Sequence, residues 1–216
     1  MITMRTKTLL DTLLSEVDNA LRTILPPKKR ASTRNSPAIA LNDSTLSARE
    51  KKHVAGLMRV NLAGEVCAQA LYQGQALTAR LEHVKQQMSD AAAEETDHLA
   101  WCEERLHELG SKPSILNPLW YSGSILLGAL AGFAGDKISL GFVAETERQV
   151  SAHLQQHLQK LPVHDKKSQA ILQQMREDEE QHATAAVNAG GIELPYPIKL
   201  LMNMVSKLMT TSSYYL

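Results

Sequence analysis

The chain has 216 residues, of which 44% are apolar, and its 23 Lys and Arg are matched by 23 Asp and Glu. This composition supports a packed core and excludes wholesale disorder. The charge balance argues against nucleic acid as a partner, since a binder of that class needs a basic surplus to displace counterions. Two cysteines, Cys67 and Cys102, are too few for a disulfide scaffold and fit a reducing compartment.

The first 25 residues contain Asp11, Glu16 and Asp18 and lack a continuous apolar stretch, so they fit neither a secretory signal nor a basic transit peptide. From about Thr6 to Leu25, Leu9, Leu10, Leu13, Leu14, Val17, Leu21 and Leu25 recur at helical spacing. Residues 1–25 are therefore predicted as an N-terminal amphipathic helix, stopped at Pro26-Pro27. Residues 26–46, rich in Ser, Pro and basic side chains, read as a linker to a helical domain over 47–216. Ser47 with Glu50 has the form of a capping box and opens a helix to about Leu77. A third helix is expected from about Val84 to Leu109, before Gly110.

Between Lys112 and Asp136 the chain carries no charge, which raises the question of a membrane span. Two prolines and four glycines interrupt that stretch, so it is read as a buried or membrane-apposed helix. Gly128 and Gly132 form a pair that permits close helix contact. Further helices are expected over about Ile138–Leu161 and Asp165–Asn188, then a short amphipathic one after Pro195. No alternating strand pattern survives, so the expected fold class is all-α.

Two Glu-x-x-His motifs stand out, Glu95–His98 and Glu179–His182. Three residues apart on a helix, the two side chains share a face about one turn from each other. One such pair is weak evidence, because Glu and His are common on helix surfaces. Here each pair follows another glutamate on a preceding helix: Glu65 by 30 positions and Glu147 by 32. Four carboxylates and two imidazoles from four helices are the ligand set of ferritin-like di-iron and di-manganese bundles. Glu65 lies among Leu62, Ala63, Val66, Ala68 and Leu71, more a core stripe than a wet face. Four acids facing one core repel each other and are costly to desolvate without a cation between them.

Several neighbours have weaker roles open to them. Asp178 and Glu94 can each accept a hydrogen bond from the far nitrogen of a histidine on the opposite helix, or be solvated charges. Tyr72 reads as a core or a redox-active tyrosine, and His153 as a partner of the site or an exposed residue. Cys67 and Cys102 read as small buried hydrophobes. His53, His83, His107, His157 and His164 lack partners at ligand spacing and read as surface residues.

The segments RVNLAGEVCAQALYQGQ, EETDHLAWCEERLHELGSKPSILNPLW and REDEEQHATAA, with the Gly-rich apolar helix, resemble the demethoxyubiquinone hydroxylases of ubiquinone biosynthesis. The resemblance runs from about Arg59 to the C-terminus, and the N-terminal helix and linker look like the longer bacterial form. It implies a ferritin-like four-helix bundle with additional membrane-apposed helices. It also implies a di-iron monooxygenase that hydroxylates the ring of 2-polyprenyl-3-methyl-6-methoxy-1,4-benzoquinol with O2. Two Fe2+ ions would be the cofactors, held by Glu65, Glu95, His98, Glu147, Glu179 and His182. Glu147 keeps the family's six-residue spacing to a histidine, here His153. The family's acidic pair is adjacent, whereas here the acids are Glu145 and Glu147 with Arg148 beside them, so Glu145 stays the alternative ligand. An electron donor (NADH or a reductase) and other ubiquinone-biosynthesis proteins are the implied partners. The implied location is peripheral, on the cytoplasmic side of a bacterial inner membrane. The competing readings are a ferritin-like iron-oxidising or peroxide-handling protein with soluble substrates, and a non-enzymatic helical scaffold.

Overall fold

The structure is a computed structural model that describes residues 9–25, 27 and 30–216, with backbone only at residues 9, 12 and 13. The expected helix start at Thr6 and the stop at Pro26 lie outside the described residues. Seven α-helices and no strand occur among the described residues: α1 (Leu9–Ile24), α2 (Ala48–Thr78), α3 (Glu82–Glu108), α4 (Asn117–Phe133), α5 (Asp136–Lys160), α6 (Lys166–Asn188) and α7 (Tyr196–Tyr215).

Local chemistry sets most of the ends. The Ser47 hydroxyl accepts from the Glu50 N–H while the Glu50 carboxylate accepts from the Ser47 N–H at 2.9 Å, so α2 opens on a complete capping box. Asp165 caps α6 by accepting from the Ser168 N–H. Gly110 and Gly190, at φ +65° and +102°, supply the left-handed turns after α3 and α6. Asp136, in the first turn of α5, accepts from the Arg80 and Leu81 N–H groups and so fastens the α2–α3 turn to the second half of the chain.

Helices α2 and α3 fold back on one another, as do α5 and α6, and the two hairpins pack into a four-helix bundle. Helix α4 lies along the outside of α2. A Cβ at Gly128 would overlap the Leu71 carbonyl, and one at Gly74 would overlap the Ile125 carbonyl, so the two backbones meet directly. None of the described helices is long and apolar enough to cross a membrane. Helix α7 is longer than the short helix expected, because tertiary contacts override the weak helix propensity of its Thr-Ser-rich end. Ser213 is buried and accepts from the Trp120 indole, the Tyr214 hydroxyl meets His53, and Arg59 donates to the Tyr214 carbonyl.

The core comes in two apolar clusters. One gathers Leu62, Val66, Leu99, Leu154, Leu172 and Met175. The other gathers Ala68, Tyr72, Met88, Ala144 and Ala186. On α3, α5 and α6 the sequence passes from one cluster to the other at the glutamate singled out above; on α2 the clusters interleave just after Glu65, with Val66 and Ala70 in the first and Ala68 and Tyr72 in the second, so a polar layer lies where the two meet.

Candidate metal centre

Helix α2 brings Glu65 to this layer, α3 brings Glu95 and His98, α5 brings Glu147, and α6 brings Glu179 and His182. The four glutamates and His98 are buried, and His182 keeps 11% side-chain exposure. His98 Nδ1 lies 3.4 Å from Glu65, 3.1 Å from Glu95 and 3.2 Å from Glu179. The ligand atoms of these four residues fall within 4.8 Å of one another, a spacing that can hold a metal ion. His182 Nδ1 lies 3.5 Å from Glu95 and 3.3 Å from Glu179. Glu95 and Glu179 thus each turn one oxygen to His98 and the other to His182. Glu147 approaches from the His182 side, with Oε1 accepting from the Tyr72 hydroxyl at 2.6 Å. Glu145 instead meets Lys199 at 3.4 Å and accepts from Gln149, away from the other acids.

The electrostatics of the layer call for cations. Among the described residues no lysine or arginine pairs with Glu65, Glu95, Glu147 or Glu179. Burial, then the charge of Glu95, pushes the Glu65 carboxyl well above the usual range. Burial, then Glu179 and Glu95, does the same to Glu147. Burial opposes charge on His182, but hydrogen bonding to Glu179 and Glu95 outweighs it and lifts the imidazole to about 12. Protons thus stand where cations would. Buried Glu147 Oε2 has no hydrogen-bond partner at all, and Glu95 Oε1 has none closer than the His182 ring at 3.5 Å. Such orphaned acceptors are costly unless an ion satisfies them. Carboxylate oxygens with imidazole nitrogens suit iron or manganese.

Outer partners orient the two imidazoles. His98 Nε2 meets Asp178 of α6 at 2.9 Å, and His182 Nε2 meets Glu94 of α3 at 2.9 Å. Each histidine is therefore held by an acid of the opposite helix, with Nδ1 left facing the cluster. Tyr72 is buried, and burial followed by the neighbouring Glu147 charge pushes its hydroxyl far up, so it stays a donor.

Sequence reasoning missed other neighbours. Asp97, inside the first Glu-x-x-His motif, is buried and accepts from the Thr33 N–H, the Thr33 hydroxyl and Arg34. The segment read as a linker thus reaches the site. Nothing periodic marks Thr33 or Arg34, and the only local signal was an acid directly before His98. His157 is not a surface residue: it is buried, packs against the His153 ring at a 57° tilt with ring centroids 3.9 Å apart, and bonds Asn61. Its i, i+4 partner His153 keeps it on the inner face of α5. Cys102 is buried, Cys67 is half-buried, and both are free.

The family model described as ubiquinone biosynthesis protein COQ7 matches residues 52–213. A protein of Legionella pneumophila (strain Corby) named 3-demethoxyubiquinol 3-hydroxylase is 73% identical over 99% of this chain and 100% of its own length. Proteins of the same name from Acinetobacter baylyi and Acinetobacter baumannii (strain SDF) are 58% identical over the same shares.

Proposed function

The chain belongs to the COQ7 family of ubiquinone biosynthesis proteins, and from that premise we propose how its buried carboxylate layer serves ring hydroxylation. The protein is a hydroxylase of demethoxyubiquinol in ubiquinone biosynthesis, a monooxygenase that places one oxygen atom from O2 on the quinol ring. The substrate is the 2-polyprenyl-3-methyl-6-methoxy-1,4-benzoquinol. The observation that carries the proposed site is the reciprocal arrangement of Glu95 and Glu179, each with one oxygen toward either histidine.

In this reading Glu65 and His98 would hold one iron ion and Glu147 and His182 the other, with Glu95 and Glu179 each offering one oxygen toward either histidine. Bound there, the two irons supply the activation of O2 and the oxidising power for the ring. The chain's own side chains do the rest. Asp178 and Glu94 keep Nε2 of each histidine protonated, so that Nδ1 is presented as a lone pair. Tyr72 holds one oxygen of Glu147 and leaves the other free. The two apolar clusters on either side keep water out, which strengthens every charge interaction inside.

The polyprenyl tail calls for an apolar reception surface. Leu119, Leu126, Leu130 and Phe133 of α4 and Leu201, Met204 and Leu208 of α7 are all at least 60% exposed. Both helices pack on α2, which carries Glu65. This exposed apolar area supports a peripheral seat on lipid, on the cytoplasmic side of a bacterial inner membrane. NADH or a reductase would supply electrons. A ferritin-like protein with soluble substrates would need no such surface.

The test supplies Fe2+-loaded protein with the quinol, an electron donor (NADH with a reductase) and 18O2, and follows product mass. One 18O atom per ring is expected, with loss in Glu179→Gln while helical content is retained. A Glu179→Gln protein that still hydroxylates at the wild-type rate refutes the site.

A further inference from the structure

The two Glu-x-x-His halves repeat in sequence but not in their surroundings. On one side, Asp178 is nearly buried and His98 fully so. Arg34 reaches over both: its Nη1 lies 2.9 Å from Asp178 Oδ2, the same oxygen that meets His98 Nε2 at 2.9 Å. Its Nε donates to Asp97 at 3.0 Å, and its Nη2 sits 3.5 Å from the His98 ring nitrogen. The guanidinium lies 4.9 Å over the Trp101 ring, and the Trp101 indole donates to the Arg34 carbonyl. Thr33 adds two bonds to Asp97, at 2.6 and 2.8 Å. On the other side, Glu94 is 52% exposed, and among the described residues no arginine or lysine pairs with it.

We propose that Arg34 is a positioning residue that makes the two metal positions unequal, tightening the one built on His98. The proposal deepens the di-metal reading above and rests on it. A planar fork that bridges Asp97 and Asp178 fixes the outer carboxylate, and that carboxylate fixes the imidazole. The Glu94–His182 pair has only a half-exposed carboxylate, unbraced by any cation among the described residues, for the same task. The position that shares His182 is therefore the looser one, the first to empty under a chelator. Arg34 lies outside the stretch that matches the family model, residues 52–213, so the N-terminal segment contributes to a centre that the bundle would otherwise build alone.

The experiment is an anaerobic Mn2+ titration of the full chain with chelator competition, together with 57Fe Mössbauer spectra of iron-loaded protein. Wild type should bind two ions per chain in two resolved steps. Arg34→Gln should weaken the tighter step by roughly 10- to 100-fold, the range for an outer-partner change, and leave the looser step in place. Arg34→Lys should restore less than half of that loss on a logarithmic scale, because one ammonium cannot bridge both acids. The control is Arg30→Gln, which removes the bidentate pair of Arg30 with Glu103 and loosens the same segment without touching Asp97 or Asp178. It should leave both steps intact. One Mössbauer doublet should change in Arg34→Gln and neither in Arg30→Gln. Two steps that Arg34→Gln leaves unmoved, or lowers equally, overturn the proposal while the centre stands. Equal losses in Arg30→Gln and Arg34→Gln overturn it in favour of simple segment docking. A wild type that binds no ion removes the centre and the proposal together.

Discussion

Tyr72→Phe removes one oxygen from the middle of the bundle. The ring is 2% exposed and keeps its edge-on contact with His182, so packing changes little. What disappears is the 2.6 Å bond to Glu147 Oε1, and Glu147 Oε2 already has no partner. A hydrogen bond to a charged group contributes about 1.5–3 kcal/mol. At about 1.4 kcal/mol per factor of ten, that is roughly a 10- to 150-fold weaker metal step. The loss should fall on the position that uses Glu147 and His182, because among the described residues Tyr72 bonds Glu147 and meets the His182 ring, with no hydrogen bond or ring contact to Glu65 or His98. At free metal near the wild-type Kd of the looser step, the variant should therefore hold about one ion per chain where wild type holds about one and a half. Anaerobic Mn2+ titration with chelator competition reads this directly, and a circular dichroism melt checks that the fold persists. Two ions bound with unchanged affinities would show that Tyr72 does not orient Glu147. Equal loss at both positions would show that it acts through general packing.

Three further outcomes follow from the same coordinates. Gly123→Ala adds a Cβ in open space and should stabilise the protein by about 0.5–1 kcal/mol through helix propensity. Gly128→Ala drives the same atom into the Leu71 carbonyl and should destabilise by about 1–3 kcal/mol; thermal melts that move both variants in one direction contradict this account of the α2–α4 contact. Metal loading near pH 7 should release protons, because Glu65, Glu147 and His182 all hold theirs unusually tightly in the metal-free site. The calorimetric enthalpy of loading should therefore vary with the ionisation enthalpy of the buffer, and affinity should fall as pH falls; an enthalpy that ignores the buffer rules this out.

The His153–His157 pair has the opposite sign. Burial, aided by Lys160, holds His153 down at about 4, and burial with His153 and Lys160 holds His157 at about 2. The folded state thus refuses protons that the unfolded chain takes below about 6.5. The stability these neutral histidines contribute is complete above that pH and is lost as pH falls toward 4. His153→Asn should close the gap to wild type by up to about 1.4 kcal/mol per pH unit between 6.5 and 4.5 in urea melts of metal-free protein. A gap that stays constant with pH defeats the argument.

Most helices were legible because their signals are local. The Ser47–Glu50 cap, the glycines at 110 and 190, and the three-residue Glu–His spacing act within one or two turns, so residue order alone sets them. The same holds for four acids and two histidines recurring on four helices, since a period of 3.6 residues puts each pair on one face. Contacts across the bundle obey no such spacing. Glu145 and Glu147 both look inward on paper; Lys199, 54 and 52 positions further on, takes Glu145, and Tyr72 takes Glu147. His157 went inside because Asn61 and His153 meet it there. The Ser-Thr-rich end of α7 became helical because Trp120, His53 and Arg59 hold it from other helices. Thr33 and Arg34 reached Asp97 from more than 60 positions away, and burial of that acid, rather than any motif, drew the segment in.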